Sequence, residues 1–246
     1  MYAERASYLD GAVVWSRTPA GAGGPEYPVL PDGCMDLLWT EGRLFVAGPD
    51  TRAHAPGDIP GRIAGVRFAP GTGPGFLGGV PAYELLNDRV ELADLWPAAD
   101  VRRLTGRIDA SSDPAAALEA VALGRAEEVE PPDPVMRTVA AHLSAGRPVN
   151  ATAQAVGLGA RQLHRRSLRA FGYGPKTLAR ILRLQRALAL AATGMPYADV
   201  AVAAGCTDQA HLAREMRDLA GTTLSRYAAL GANSDTSPPS GSWTVA

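Results

Sequence analysis

The chain has 246 residues, of which 46% are hydrophobic and 20% charged, and its formal net charge is −1. This composition is typical of a globular protein and excludes collagen-like, disulfide-rich and strongly disordered chains. No apolar run reaches the roughly 18 residues of a membrane-spanning helix, so no membrane partner is expected.

The net charge conceals an asymmetry between the two halves. Residues 1–130 hold 11 Arg and Lys against 19 Asp and Glu, a net charge of −8, whereas residues 131–246 hold 13 against 6, a net charge of +7. A basic C-terminal half suits contact with phosphate groups, and an acidic N-terminal half repels them. A solvated charged surface explains the same numbers, so charge alone leaves both interpretations open.

Cysteine usage indicates the compartment. Cys34 and Cys206 lie far apart in the sequence, which predicts neither a disulfide framework nor a thiolate metal site. We therefore expect a cytoplasmic protein.

The N-terminal part reads as β-rich, because its apolar runs are short and broken by Gly and Pro. Strands are expected at residues 11–16, 34–39, 43–47 and 64–69, and a loop at 19–28. The second and third runs flank residues 40–42 and predict a hairpin. Residues 1–110 thus predict a small β-sandwich or barrel-like domain.

Helices are expected from residue 81 onward. Short ones are predicted at 81–87 and 97–108, and a clearer one at 112–123, capped by Ser112 or Asp113. Residues 111–133 predict a helical linker that ends in a proline-rich stretch, and a further helix starts at 133–134. Residues 231–246 contain too few apolar residues to fold and predict a disordered tail. The expected class is α+β, with an all-α domain over 134–230.

The all-α domain contains the same small unit twice. In the first copy, a short helix at 149–156 and a turn at 157–159 precede a helix at 160–171. In the second, residues 197–204 and 205–207 precede a helix at 208–220. Each copy is a helix-turn-helix pattern with glycine at the reversal, and one long helix at 176–193 joins the two.

The helix at 160–171 separates its side chains onto two faces. Leu163, Ser167 and Phe171 recur at helical spacing and predict the packed face. The cationic side chains lie off this stripe, and Arg can donate two hydrogen bonds to guanine in the major groove. The expected base contacts are Arg161, Gln162, His164 and Arg165, and the expected phosphate contacts are Arg169 and Lys176. A basic solvated face is the alternative.

The helix at 208–220 repeats this arrangement with fewer charges. Leu212, Met216 and Leu219 predict its buried stripe. The side chains nearer the exposed side are Gln209, Ala213, Arg214 and Arg217. Arg214 can contact a base or a phosphate there, and Arg217 is expected at phosphate. Two such units in sequence arise by chance much less often than one, which favours DNA binding.

Residues 134–229 resemble the DNA-binding domain of AraC-type transcription regulators. The likeness is carried by Leu163-His-Arg165, Phe171-Gly-Tyr-Gly-Pro175, Arg183-Leu-Gln-Arg-Ala187 and residues 200–205 and 208–214. It implies a seven-helix module with base contacts from Arg161, His164 and Arg165 of the first unit and Gln209, Ala213 and Arg214 of the second. The sequence departs from the family pattern at Ser167, Cys206 and Met216, where phenylalanine is usual, and at Leu224, where proline is common.

The N-terminal half resembles sensor-like domains that some AraC-type regulators carry, through residues 30–39, 47–51 and 65–68. This likeness implies a cupin-like β domain. A metal-dependent cupin needs a histidine cluster, and His54 is the one histidine in this half, so neither a metal nor another cofactor is expected. Trp15, Trp39, Phe45 and Phe68 form a candidate ligand pocket, with core packing as the alternative.

An enzyme would need a different site. Cys34, Asp36 and His54 supply a possible nucleophile, orienting group and base. A cysteine in such an apolar run is more often a small buried residue. No catalytic residue is therefore expected, and an enzyme or adaptor with a DNA-binding-like tail is the alternative function.

Together these features predict a one-component, bacterial-type transcription regulator and not an enzyme. Its expected partner is double-stranded DNA. A small-molecule effector, RNA polymerase and a second copy of the chain are further candidate partners. Control by an effector and control by abundance alone both stay open.

Overall fold

A computed structural model describes residues 2–18, 28–55 and 61–232. The loop predicted at 19–28 and the tail predicted at 231–246 fall almost entirely outside these residues. Within them, the N-terminal part is built on one antiparallel sheet with the strand order β1-β2-β5-β3-β4-β6. The strands are β1 (Tyr2–Ala6), β2 (Val13–Arg17), β3 (Met35–Thr40), β4 (Arg43–Ala47), β5 (Ile63–Phe68) and β6 (Arg89–Glu91).

The predicted hairpin is confirmed. β3 and β4 pair from Thr40–Arg43 to Asp36–Ala47, and Gly42 takes a φ of 79° in the two-residue connection. That backbone conformation favours glycine, which has no Cβ to clash with the chain. The two edge strands, β1 and β6, were not predicted.

Helices cover one face of the sheet. They are α1 (Gly73–Phe76), α2 (Ala98–Asp109) and α3 (Pro114–Glu128), and single 3₁₀ turns occupy Ala82–Leu85 and Leu92–Asp94. Asp113 caps α3 by accepting from the Ala116 amide, as one of the two predicted capping residues. Leu118 and Val121 of α3 pack into the core beside Val66 and Phe68.

Residues 111–133 were predicted to form a helical linker. The helix is present, as α3, but it is part of the N-terminal fold and not a linker. α3 carries a buried apolar stripe that packs against the sheet, which leaves residues 129–133 as the connection. The α+β class is confirmed. The described strands form a single sheet, and helices take the place that a second sheet has in a sandwich.

The C-terminal part is all-helical and contains the two predicted units. Its helices are α4 (Pro134–Ser144), α5 (Val149–Ala155), α6 (Ala160–Phe171), α7 (Pro175–Ala192), α8 (Tyr197–Ala204), α9 (Gln209–Ala220) and α10 (Leu224–Ala232). Each unit adds apolar side chains to one continuous core around α7, including Leu163, Phe171, Ile181, Leu212 and Met216. Burial of these side chains is the main force that holds the units together.

The two parts are packed against each other. Gln185 of α7 donates a 2.5 Å hydrogen bond to the Pro31 carbonyl oxygen, and the Ala53 amide donates one of 2.7 Å to the Leu219 carbonyl oxygen. Gly71 lies so close to the Phe171 ring that an added Cβ would come within 2.6 Å of it. These contacts join loops of the N-terminal part to α6, α7 and α9. Within the described ranges, no helix is both long and apolar enough to cross a bilayer.

Candidate nucleic-acid interface

α6 presents the side chains that the sequence assigned to its outer face. The helix starts after Gly159 and ends at Gly172, whose φ of 82° closes it in the left-handed conformation. Leu163, Ser167 and Phe171 are buried as predicted. All five polar or cationic residues predicted on the other face are exposed, namely Arg161, Gln162, His164, Arg165 and Arg169.

Two of these side chains have local contacts that the sequence did not reveal. Gln162 Oε1 accepts a 3.0 Å hydrogen bond from the Gly159 amide, which leaves the amide nitrogen of this side chain to face outward. The His164 ring lies against Gly174, because a Cβ added there would be 2.8 Å from His164 Cε1 and Nδ1. Both side chains are therefore oriented by the turns at the two ends of α6.

α9 repeats this arrangement. Asp208 caps the helix by accepting a 2.6 Å hydrogen bond from the His211 amide, and Gly221 closes it with a φ of 64°. Leu212, Met216 and Leu219 are buried, as predicted. Of the four predicted outer residues, Gln209, Arg214 and Arg217 are exposed and Ala213 is half-buried.

The remaining predicted phosphate contact is Lys176, which lies in the first turn of α7 and is exposed. The free carbonyl groups of a helix lie at its C-terminal end, far from Lys176, and the first turn carries the positive end of the helix dipole. Lys176 and that turn would both favour an anion such as a DNA phosphate.

Ion pairs that the sequence did not reveal hold the two outer helices in place. Arg166 of α6 pairs with Asp133, which also caps α4 through the Val135 amide. Arg180 of α7 donates a 2.9 Å hydrogen bond to Glu215 of α9 and one of 3.1 Å to Asp218. The partners lie 33 to 38 residues apart in the chain, so helical periodicity could not have found them.

The four departures from the family pattern are accommodated in the core. Ser167, Cys206, Met216 and Leu224 are all buried. Ser167 Oγ finds no hydrogen-bond partner within the described ranges, which is costly for a buried hydroxyl.

The predicted aromatic pocket is wrong, because its four members lie on opposite faces of the sheet. Trp15 pairs with Gly65, Gly65 with Leu38, and Leu38 with Phe45, so Trp15 and Phe45 share one face. Trp39 and Phe68 point the other way, into the core beneath the helices. Trp39 Nε1 donates a 2.8 Å hydrogen bond to Asp109 there.

The face that carries Trp15 and Phe45 combines apolar and charged side chains. Leu38, Phe45, Ala47 and Ile63 cluster with Trp15. Trp15 Nε1 donates a 2.6 Å hydrogen bond to Asp36, and the Arg67 guanidinium lies 3.5 Å from the same carboxylate. Burial raises the pKa of Asp36, although Arg67 opposes that rise.

Cys34, Asp36 and His54 do not form a catalytic arrangement. Burial raises the pKa of the Cys34 thiol, which is the opposite of what an activated nucleophile needs. Asp36 is engaged by Trp15, and His54 lies 3.2 Å from Asp50 and against Arg89. Among the described residues, no group of three His, Cys, Asp or Glu is placed to hold a metal ion.

Two family models match parts of the chain. Residues 152–229 match a helix-turn-helix domain, and residues 12–91 match a domain of unknown function (DUF6597). The first match spans the second half of α5 through most of α10, so it includes both outer helices. A search of curated proteins gives no match.

Solved structures of ToxT from Vibrio cholerae are distantly similar. ToxT from strain O395 is 9% identical with a TM-score of 0.46, over 96% of this chain and 99% of that chain. An apo ToxT variant from strain SCE256 is 11% identical with a TM-score of 0.47, over 93% of this chain and 100% of that chain. Wild-type ToxT of the same strain, bound to an unsaturated fatty acid, is 11% identical with a TM-score of 0.46, over 92% of this chain and 96% of that chain.

The tandem units, their exposed cationic helices and the match over 152–229 agree with one another. Residues 152–229 thus form a helix-turn-helix domain that supports a DNA-binding transcription regulator, and residues 12–91 match a domain of unknown function.

Proposed function

We propose that α6 and α9 each enter the major groove and read bases of a single asymmetric DNA site. From α6 the base contacts are Arg161, Gln162, His164 and Arg165, and from α9 they are Gln209, Ala213 and Arg214. Arg169, Lys176 and Arg217 bind phosphates and set the register of the protein on the duplex. The observation that carries this proposal is the exposed cationic face of α6, opposite a fully buried stripe.

α7 joins the two units within one protomer. Its 18 residues span about 27 Å at a rise of about 1.5 Å per residue. Successive major-groove segments on one side of B-DNA are about 34 Å apart. Since α6 and α9 both pack on α7, one protomer carries both helices to the DNA.

The N-terminal part acts as the regulatory domain. Its loops bind α7 through Gln185, pack on α6 through Gly71 and Phe171, and contact the last turn of α9 through Ala53. A small-molecule effector, or contact with a second copy of the chain, would act on DNA binding through this interface. The face with Trp15 and Phe45, rather than the predicted four-residue pocket, is the candidate effector surface.

The same proposal assigns the protein to the cytoplasm and to a regulatory, non-enzymatic role. DNA is its direct partner, and RNA polymerase is the partner through which bound protein would alter transcription. The buried Cys34 thiol supports the absence of a nucleophilic site at the sheet.

Base reading is tested by binding to promoter fragments from upstream of the gene itself and its neighbours, at two salt concentrations. Arg165→Ala and Arg214→Ala should each weaken specific binding by about 1–3 kcal/mol and relax the sequence preference. Lys176→Ala should weaken binding to all sequences alike and reduce the salt dependence. Binding that shows no sequence preference in the wild-type protein, with and without candidate effectors, would overturn the proposal.

A further inference from the structure

Arg186 occupies a position between the two helix-turn-helix units. It lies in the middle of α7, and its Nη1 donates to the carbonyl oxygen of Ser144. Its Nη2 donates a 2.8 Å hydrogen bond to the carbonyl oxygen of Ala204. Ser144 is the last residue of α4 and Ala204 is the last residue of α8, so one guanidinium joins the C-terminal ends of two helices.

The chemistry of these two helix ends suits a cation. The last carbonyl groups of a helix have no intrahelical donor, and they carry the negative end of the helix dipole. Burial and the neighbouring Arg183 lower the pKa of Arg186, so the two carbonyl hydrogen bonds offset the cost of placing its charge there. The planar guanidinium reaches two acceptors at once, which a lysine ammonium on the same helix does not match.

The turns that follow α4 and α8 leave room for the guanidinium. A Cβ added at Gly146, where φ is 80°, would lie 2.9 Å from Arg186 Nη1. Gly205 ends α8 with a φ of 86° and also lies next to Arg186 Nη2. Both turns thus have glycine where a side chain would collide with the cation or strain the backbone.

The two helices that Arg186 joins belong to different DNA-contacting units. α4 packs on α5 and α6, and α8 packs on α9. We propose that Arg186 is a positioning residue that fixes the distance and angle between the two recognition helices, and so the spacing between the two base-pair segments that the protein reads. This inference rests on the proposed function, in which both helices read bases.

The test is selection of binding sites from a pool of random DNA with the full-length protein. Wild type, Arg186→Met and Arg186→Lys are compared, and Arg183→Met is the control, since it removes the same charge one turn earlier on α7. The wild type and the control should recover a two-part motif with one fixed spacing. Both Arg186 variants should recover the same two parts with variable spacing, or one part alone.

A second readout uses the selected site with one extra base pair between its halves, which rotates one half by about 35° relative to the other. Insertion should weaken wild-type binding about tenfold or more and the Arg186 variants about threefold or less. Non-specific DNA binding should be unchanged, because Arg186 lies between helices and not on the outer face.

The outcomes separate the two proposals. Failure of the wild type to select a two-part motif would overturn the proposed function. A wild-type spacing and insertion penalty in both Arg186 variants would overturn the role of Arg186 alone, as would full rescue by Arg186→Lys. If Arg186→Met does not fold, Arg186→Lys decides the question by the same two measurements.

Discussion

The amide of Ala53, in a loop of the N-terminal part, donates a 2.7 Å hydrogen bond to the carbonyl oxygen of Leu219, in the last turn of α9. Carbonyl groups at the end of a helix lack an internal donor, so this contact completes the C-terminal end of the second recognition helix. The N-terminal part thereby completes the end of a helix that we propose reads DNA.

The loop that carries Ala53 is itself attached to the sheet. His54 and Val29 exchange two backbone hydrogen bonds of 3.0 and 3.1 Å. Asp50 lies 3.2 Å from His54 and 2.8 Å from Arg89 of β6. This loop therefore joins the sheet to the end of α9.

Gly71→Ala should weaken the contact between the two parts of the chain. Its Cβ would lie 2.6 Å from Phe171 Cε1, so the packing must open, with a loss of about 1–3 kcal/mol. Calorimetry should show a lower melting temperature and separate transitions for the two parts. Gly42→Ala is the matched control, because Gly42 has a similar φ of 79° with nothing within 4 Å of an added Cβ. Equal losses in the two variants would contradict the contact.

Glu215→Ala should destabilise the second unit by about 1–2 kcal/mol. Glu215 is buried and accepts two hydrogen bonds from Arg180, so its loss leaves that guanidinium with a weaker partner. Asp218→Ala removes the exposed partner of the same arginine and should cost about 0.5 kcal/mol or less. Urea unfolding measures both, and a larger loss for Asp218→Ala would show that the buried pair is not the stronger one.

Glu119 should make the free energy of unfolding depend on pH in the acidic range. Burial opposes its ionisation, but hydrogen bonds from Arg5, Ser7 and the Tyr8 amide outweigh burial and lower its pKa from 4.5 to about 2. A lowered pKa in the folded state stabilises the fold fully above about pH 4.5, and this contribution disappears as the pH falls through about 2.

Glu119→Gln should therefore lower the free energy of unfolding at pH 7 by on the order of 2 kcal/mol. The difference from wild type should shrink as the pH falls from 4.5 to 2. Denaturant unfolding across that range measures it. A difference that is constant with pH would mean that the variant acts through shape and not through charge.

Gly174→Ala should alter base preference with little effect on stability. The added Cβ would displace the His164 ring, whose Cε1 and Nδ1 would otherwise be 2.8 Å away, and an exposed ring can move at low cost. Site selection should show a changed preference at the base that His164 contacts and no change at bases read by α9. An unchanged motif would exclude His164 from base reading.

The helical half was predictable because its signals are local. Glycines at 157 and 205 mark the turns, and apolar residues at helical spacing mark the buried faces of α6 and α9. The capping role of Asp208 was not predicted. The ion pairs of Arg166 and Arg180 were not predicted either, because their partners are distant in sequence.

The sheet was less predictable, because the face of each side chain depends on strand register. Trp15 and Trp39 both lie in apolar strands, yet the pairing of Trp15 with Gly65 and of Gly65 with Leu38 places Trp39 on the opposite face. β1 escaped prediction because four of its five residues are exposed and two of these are charged. α3 was assigned to the linker because a proline-rich stretch follows it, whereas its apolar residues pack on the sheet.

The central claim, that two helices of one chain read two segments of DNA, is tested most directly by missing-base interference on a selected site. The wild type should depend on two clusters of bases, centred about 10 base pairs apart on one side of the duplex. Arg165→Ala should lose dependence on one cluster and Arg214→Ala on the other. A single cluster, or loss of both clusters in either variant, would contradict it.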